Sequence, residues 1–169
     1  MNIVDQLRMA YRNYHDRVAL IDEQDSYTYR EFELLSNRIG NTCLAEGFSF
    51  DTRIAMLSPN CNRAAIAMHG TQAAGITWCN LNLRSPLEET IDVLRRGDVD
   101  LFIYHSLVAD KVAQIKEQVP SIKLAVCLDT SDEHGVYLDH WIEGHSDQEV
   151  SLHYPDDAIA FQGATGGTT

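Results

Sequence analysis

The sequence predicts an α/β domain, a mostly parallel sheet flanked by helices on both faces. Three observations predict it. From residue 53 onward, short runs that are apolar throughout, such as Ile54–Leu57 and Leu101–Tyr104, alternate with stretches whose apolar residues recur every three or four positions. Strands lacking an apolar/polar alternation are buried on both faces, the habit of parallel sheets covered by helices. The 169 residues, 44% of them hydrophobic, are enough for one domain with its own core.

Residues 1–52 read as a helix, a hairpin and a second helix. Between Asn2 and Tyr14, Ile3, Leu7, Tyr11 and Tyr14 fall on one helical face. Val18–Ile21 and Ser26–Tyr29 are β-prone runs separated by a polar turn through Asp22 to Asp25, which predicts a hairpin. Phe32, Leu35, Ile39 and Cys43 then recur with helical spacing, and Gly47 stands where a helix C-cap is expected.

Residues 53–128 are the alternating β/α part. Arg53–Leu57 is a strand ended by Ser58-Pro59-Asn60, and the Ala- and Gly-rich stretch from Asn62 to Gly75 suits a helix lying close against a sheet. Ile76–Cys79 is the next strand. Ser85-Pro86-Leu87-Glu88 has the capping-box pattern with proline at the first helical position, followed by Leu87, Ile91 and Leu94 on one face. Val99–Tyr104 is a strand, Val108, Val112, Ile115 and Val119 form a helical stripe, and Lys123–Leu128 closes the unit.

Residues 129–157 turn acidic and irregular, and are expected to be a solvated connection pinned by Trp141 and Ile142. His134, His140, His145 and His153 lie in this stretch without the spacing of a metal motif. His69 and His105 are read as packing or strand-end residues, since no nucleophile stands near them to be activated. Cys43, Cys61, Cys79 and Cys127 form no C-x-x-C pair and are read as buried free thiols of a reducing compartment, with the cytoplasm the expected location.

Charge narrows the partners. The net charge of −12 disfavours non-specific binding to nucleic acid or to an anionic membrane, which needs surplus Lys and Arg. The longest apolar runs fall far short of the ~20 residues of a spanning helix.

Residues 158–169 hold the most chemistry. Ala158–Gln162 reads as a buried strand running into Gly163-Ala164-Thr165-Gly166-Gly167-Thr168-Thr169, with three glycines and three threonines in seven residues. Glycine lets backbone N–H groups converge on an oxygen and threonine adds hydroxyl donors, so the segment can cradle an anion. Composition leaves a flexible tail equally open. Neither G-x-x-x-x-G-K-[ST] nor G-x-G-x-x-G is present, so neither the Walker loop nor the dinucleotide fingerprint applies.

Here the chain resembles the adenylate-forming enzymes, a family including acyl-CoA synthetases, luciferases and peptide-synthetase adenylation domains. Thr165-Gly166-Gly167-Thr168-Thr169 is similar to the first half of that family's loop, which continues as Gly-x-Pro-Lys-Gly. Tyr27-Thr28-Tyr29-Arg30-Glu31-Phe32 with Ser36-Asn37-Arg38 resembles its early T-Y-x-E-L…S-N-R segment. Ala74–Arg84 resembles its A-G-x-x-x-x-P-L-N-P-R segment. Ala164 replaces an aromatic residue of the pattern, and Asn80 and Leu83 stand at two of its prolines.

The resemblance implies the N-terminal subdomain of the adenylate-forming fold, and a parent acyl-CoA synthetase that uses ATP, Mg2+ and coenzyme A to activate a carboxylic acid. It implies that Thr165, Gly166, Gly167, Thr168 and Thr169 belong to the ATP-phosphate loop. Arg84 matches an arginine near the coenzyme A entrance of some members; a plain surface arginine is the competing reading. Tyr29 and Glu31 are taken as structural, the carboxylate lying near a helix N-terminus. The adenine pocket, acyl tunnel, Mg2+-binding acid and mobile C-terminal domain would lie downstream. The chain is therefore expected to be an N-terminal fragment with no complete catalytic set and no tightly bound cofactor, inactive alone. A non-catalytic stand-alone binding module, and an adenylation enzyme with a carrier-protein acceptor, are the alternatives. An exposed sheet edge makes a homo-oligomer a further expectation.

Overall fold

A computed structural model describes residues 3–163. They divide into two compact units. The first takes the described residues up to Phe50, with Asn60–Ile76 and Ile142–Ala158; the second takes Asp51–Pro59, Thr77–Trp141 and the described residues from Ile159. Among the described residues no helix is long and apolar enough to cross a membrane.

In the first unit, α1 (Ile3–Tyr14) leads into β1 (Val18–Ile21) and β2 (Ser26–Thr28), the expected antiparallel hairpin, with a bulge between Val18 and Leu20. The helix buries Val4 and Leu7. Its stripe is shorter than the spacing predicts: Tyr14 turns outward, where the Arg17 guanidinium lies 4.9 Å from its ring centroid.

Helix α2 (Tyr29–Ala45) begins with a capping box at Thr28. The Thr28 hydroxyl accepts from the Glu31 N–H at 3.2 Å, and the Glu31 carboxylate accepts from the Thr28 N–H at 2.8 Å. The Thr28 N–H and hydroxyl together hold the Glu31 carboxyl below its usual range. The helix closes at Gly47, with φ of +84°, where Phe48 N–H donates to Cys43 O and Gly47 N–H to Leu44 O.

Helix α3 (Asn62–Ala73) starts at Cys61, whose side chain makes no cap bond. The missing cap comes from the hairpin turn. Asp22 Oδ2 accepts from the Asn62 N–H at 2.9 Å, while Oδ1 accepts from Gln24 and Asp25, each at 2.9 Å. Cys61 is also the one cysteine of the four that is only half-buried; all four are free thiols.

The Ala and Gly content of α3 serves its approach to α2. A Cβ added to Gly70 would stand 2.6 Å from Ile39 Cβ and 2.7 Å from the Ser36 carbonyl oxygen. Residues 142–158 are tied to the helices through their own backbone. Asn41 donates to the carbonyls of Ser146 (2.8 Å) and Gln148 (2.9 Å), and Arg8 to that of Val150 (2.8 Å). Val150 is buried with Val4 and Ala73.

The second unit is built on six parallel strands in the order β7-β6-β5-β3-β4-β8. These are β3 (Arg53–Leu57), β4 (Thr77–Cys79), β5 (Leu101–Tyr104), β6 (Leu124–Cys127), β7 (Val136–Tyr137) and β8 (Phe161–Gln162). Between them run α4 (Leu87–Arg96), a 3-10 turn at Ser106–Val108, α5 (Ala109–Gln118) and α6 (Leu138–Trp141). On one face Ala55, Leu57, Phe102, Tyr104 and Cys127 cluster with Ile91 and Leu94 of α4 and Val112 and Ile115 of α5. Ile54, Leu101, Ile103 and Val126, whose side chains alternate to the other face, are buried as well. The α/β class with a parallel sheet is thus the observed one.

Three expectations change. The capping box at Ser85 does not form: Pro86 is itself the N-cap, makes no side-chain cap bond, and accepts from the Thr90 hydroxyl at 3.2 Å. The proline ring has no N–H and fixes its φ near −54°, so it ends the loop instead of opening the helix. The acidic connection is ordered where it meets the sheet, because β7 pairs with β6 and α6 buries Leu138 and Trp141. Lastly, the buried strand expected at Ala158–Gln162 is a two-residue strand that among the described residues pairs with β4 alone, with Ile159 64% and Phe161 44% exposed. Apolarity alone cannot distinguish a central strand from an edge.

Gly70→Ala is expected to destabilise the chain by about 1–3 kcal/mol, the range for overpacking a tight contact, read as a lower urea midpoint; an unchanged midpoint would exclude the close approach. Glu33, on α2, is 4% exposed, with Asn37 Nδ2 3.4 Å from its carboxylate. Burial pushes its carboxyl above the usual value of 4.5, opposed by Arg8 and Asn37. A raised folded-state pKa means that this group's stability is complete below 4.5 and is lost as pH rises through the raised value. Glu33→Gln is therefore expected to gain stability relative to the unchanged chain as pH rises, and thermal midpoints that keep a constant gap across pH would contradict it.

Candidate functional site

In a parallel sheet every strand delivers its carboxyl end to the same edge, and ligands of open α/β sheets bind beyond that edge. Here the residues following the strands are Ser58 after β3, Asn80 after β4, His105 after β5, Leu128 and Asp129 after β6, and Gly163 after β8. The two ends of this edge differ.

At the β5–β6 end the protein fills its own edge. Asp129 accepts from the Ser106 N–H at 2.8 Å and the Ser106 hydroxyl at 2.6 Å, and His105 Nε2 lies 3.5 Å from it. Asp132 accepts from the Tyr104 hydroxyl at 2.6 Å, the His134 N–H at 2.7 Å and the Gly135 N–H at 3.1 Å. Burial pushes both carboxyls up, but these hydrogen bonds outweigh it and hold each below the usual aspartate range. Gly135 must be glycine: a Cβ there would stand 2.7 Å from the Ala125 carbonyl oxygen and 2.8 Å from the Tyr104 hydroxyl. These bonds fasten the residues that lead into β7. Ser106 donates straight to a carboxylate, and His105 Nδ1 accepts from the Leu107 N–H at 3.2 Å, so no nucleophile–base pair is assembled.

At the β4–β8 end the edge is open. The ladder runs from the Trp78 N–H to Ala160 O at 3.0 Å and the Asn80 N–H to Gln162 O at 3.4 Å, reinforced by the Thr77 hydroxyl on Ile159 O at 2.8 Å. This pairing places Gly163 beside Asn80. A cleft of about 160 Å³ opens there, lined by Asn80, Leu81, Asn82, Ser85, Glu89, Thr90, Val93 and Gly163. Its wall is the first half of α4 and the turn before it, in which Asn82 Oδ1 accepts from the Arg84 N–H at 3.0 Å and Asn82 O from the Ser85 N–H at 3.0 Å. Among the described residues Glu89 is the one charged residue lining the cleft, and no three His, Cys, Asp or Glu side chains converge to hold a metal ion.

Of the residues singled out in the sequence, Arg84 is exposed in that turn and is not among those lining the cleft. Thr165, Gly166, Gly167, Thr168 and Thr169 lie outside the described residues, which stop at the glycine that opens the loop. His69, on α3 of the first unit, lies edge-on to Phe32 with ring centroids 4.9 Å apart, and burial holds its imidazole below the usual range. Asn80, Ser85 and Thr90 were not legible as site residues. The available signal is positional, the first residue after a parallel strand and the first turn of the helix that follows.

Comparison with known proteins bears on family and fold. The family described as AMP-binding enzyme matches residues 7–169. A medium/long-chain-fatty-acid–CoA/3-oxocholest-4-en-26-oate–CoA ligase of Mycolicibacterium smegmatis is 30% identical over 134 residues, covering 79% of this chain and 24% of its own length. The medium-chain acyl-CoA ligase Mig of Mycobacterium avium is 28% identical over 178 residues, covering 91% of this chain and 31% of the relative. The chain thus spans about a quarter to a third of the length of these relatives. Among solved structures, an anthranilate CoA ligase in complex with anthranoyl-AMP superposes with a TM-score of 0.91 at 19% identity, over 100% of this chain and 33% of that one. That likeness is one of fold.

Proposed function

The chain belongs to the AMP-binding enzyme family, and from that premise we propose that it supplies the N-terminal part of an ATP-dependent acyl-CoA synthetase. The reaction joins a carboxylic acid to ATP with release of pyrophosphate, then passes the acyl group from the acyl-adenylate to the thiol of coenzyme A with release of AMP. The observation that carries the proposal is the placement of Gly163. The β4–β8 pairing delivers it to the open carboxyl edge of a parallel sheet, and the next six residues are Ala164-Thr165-Gly166-Gly167-Thr168-Thr169.

The chemistry asks for such a segment. When a carboxylate oxygen attacks the α-phosphorus, the bond to the bridging oxygen breaks and pyrophosphate leaves with added negative charge. Backbone N–H groups of Gly166 and Gly167 and hydroxyls of Thr165, Thr168 and Thr169 are donors that can meet that charge without carrying a competing one. Thr168 and Thr169 are the proposed direct phosphate contacts. In the second step the coenzyme A sulfur attacks the acyl carbonyl and AMP leaves; Arg84, exposed in the turn before α4, is the proposed contact for coenzyme A on this chain. The described residues do not form a cage for Mg2+, which would reach the site on the nucleotide. The relatives' names favour a fatty or other medium-to-long-chain acid as the substrate class. A carrier-protein acceptor has no observation in its favour here.

Calorimetric titration of the chain with MgATP tests the loop. Thr168→Val and Thr169→Val together are expected to weaken binding by about tenfold or more, the value of one or two hydrogen bonds to charged oxygens. Equal affinity with and without the hydroxyls would remove these threonines from the site. The chain alone is expected to show no acid-dependent exchange of pyrophosphate into ATP, and measurable exchange would refute that part of the proposal.

A further inference from the structure

We propose that β1 is an interface for a second copy of this chain, the two copies pairing their β1 strands antiparallel about a two-fold axis. The inference uses the first unit alone and is independent of the nucleotide reading.

The sheet of this unit has two strands, β1 and β2, so one edge of β1 has no strand against it among the described residues. All four of its residues, Val18-Ala19-Leu20-Ile21, are apolar. Natural edge strands are commonly blocked by a charge or a proline, and β1 carries neither. In a regular strand Val18 and Ile21, three positions apart, would point to opposite faces. The bulge between Val18 and Leu20 resets that alternation, and both side chains are exposed, by 53% and 76%. Met9 and Tyr14, shortly before them, are exposed as well. Half of the eight large apolar side chains exposed among the described residues therefore fall between Met9 and Ile21, which makes this stretch the one to look to for a partner.

The charges flanking β1 say which partner fits. Arg17 precedes the strand, and Asp22 and Glu23 follow it. Asp22 is spent on the N–H groups of Gln24, Asp25 and Asn62. Arg17 and Glu23 are exposed; the Arg17 guanidinium rests on the Tyr14 ring, and neither charge has an ion-pair partner among the described residues. A strand that is positive at one end and negative at the other is complementary to itself run antiparallel. With the two-fold axis at Leu20, Ala19 lies opposite Ile21 of the other copy and Arg17 opposite its Glu23, each pair occurring twice. Main-chain hydrogen bonds and apolar burial then supply the affinity, and the two ion pairs set the register. Such a contact uses the same patch on both copies and closes at two.

The test measures the mass of the 169-residue chain by sedimentation from micromolar to near-millimolar concentration. A monomer–dimer equilibrium that stops at two is expected. Arg17→Glu and Glu23→Lys are each expected to weaken the dimer by about tenfold or more, because each sets two like-charge pairs across the axis. The double variant, which restores opposite charges with their signs exchanged, is expected to recover the original affinity to within a few-fold. Ile21→Lys, which plants a charge in the strand itself, is expected to be monomeric. A chain that stays monomeric throughout excludes a second copy as the partner, and a mass that keeps growing beyond two excludes the two-fold contact. Single charge variants that dimerise like the unchanged chain, or a double variant no tighter than the singles, overturn the antiparallel pairing. Thermal midpoints of the dilute variants are expected to match the unchanged chain, since all three positions are exposed; where one falls, Arg17→Gln or Glu23→Gln replaces it, with a smaller loss of affinity expected.

Discussion

Everything functional in the second unit depends on parallel pairing. Six strands running the same way send all their carboxyl ends to one edge, and the slanted hydrogen bonds of the ladder set which residue emerges first from each strand. The register Trp78↔Phe161 and Cys79↔Gln162 makes Asn80 and Gly163 neighbours. A shift of one residue would send the alternate side chains to each face and separate that pair.

The edge shows two solutions to the same electrostatic problem. Strand ends leave polar backbone groups that need partners. Around β5 and β6 the chain supplies them itself: Asp129 takes the Ser106 N–H, and Asp132 takes those of His134 and Gly135. Around β4 and β8 a cleft lies open instead, lined by Asn80, Thr90 and Gly163 among others.

The first unit is governed by close packing instead. Gly70 lets α3 meet the backbone of α2, and the carbonyls of residues 146–150 are gathered by Asn41 and Arg8. The helix ends are satisfied from outside as often as from within. Thr28 and Glu31 cap α2 locally, while α3 borrows Asp22 across 40 residues of sequence. The cost of this packing is Glu33, a carboxyl held in a site that disfavours its charge.

By itself the sequence determined the α/β class, because the apolar runs at Ile54–Leu57, Leu101–Tyr104 and Leu124–Leu128 are read from composition and period alone, and the helix between each pair is read the same way. It also placed the Glu31 carboxylate near a helix N-terminus, and the glycine-rich segment after residue 162, since both are local patterns whose physics is complete within a few residues. Tertiary structure decided the rest. Whether a short apolar strand is central or an edge depends on what pairs with it, so β8 could not be told from β4 in the sequence. An aspartate's role depends on which N–H groups surround it, so Asp129 and Asp132 looked like two more charges in an acidic connection. Ser85 had the letters of a cap and the proline beside it took the position. Asn80 came to line a cleft with Gly163, 83 positions away in the chain, only when β4 paired with β8, because contact between distant residues is fixed by register and not by spacing.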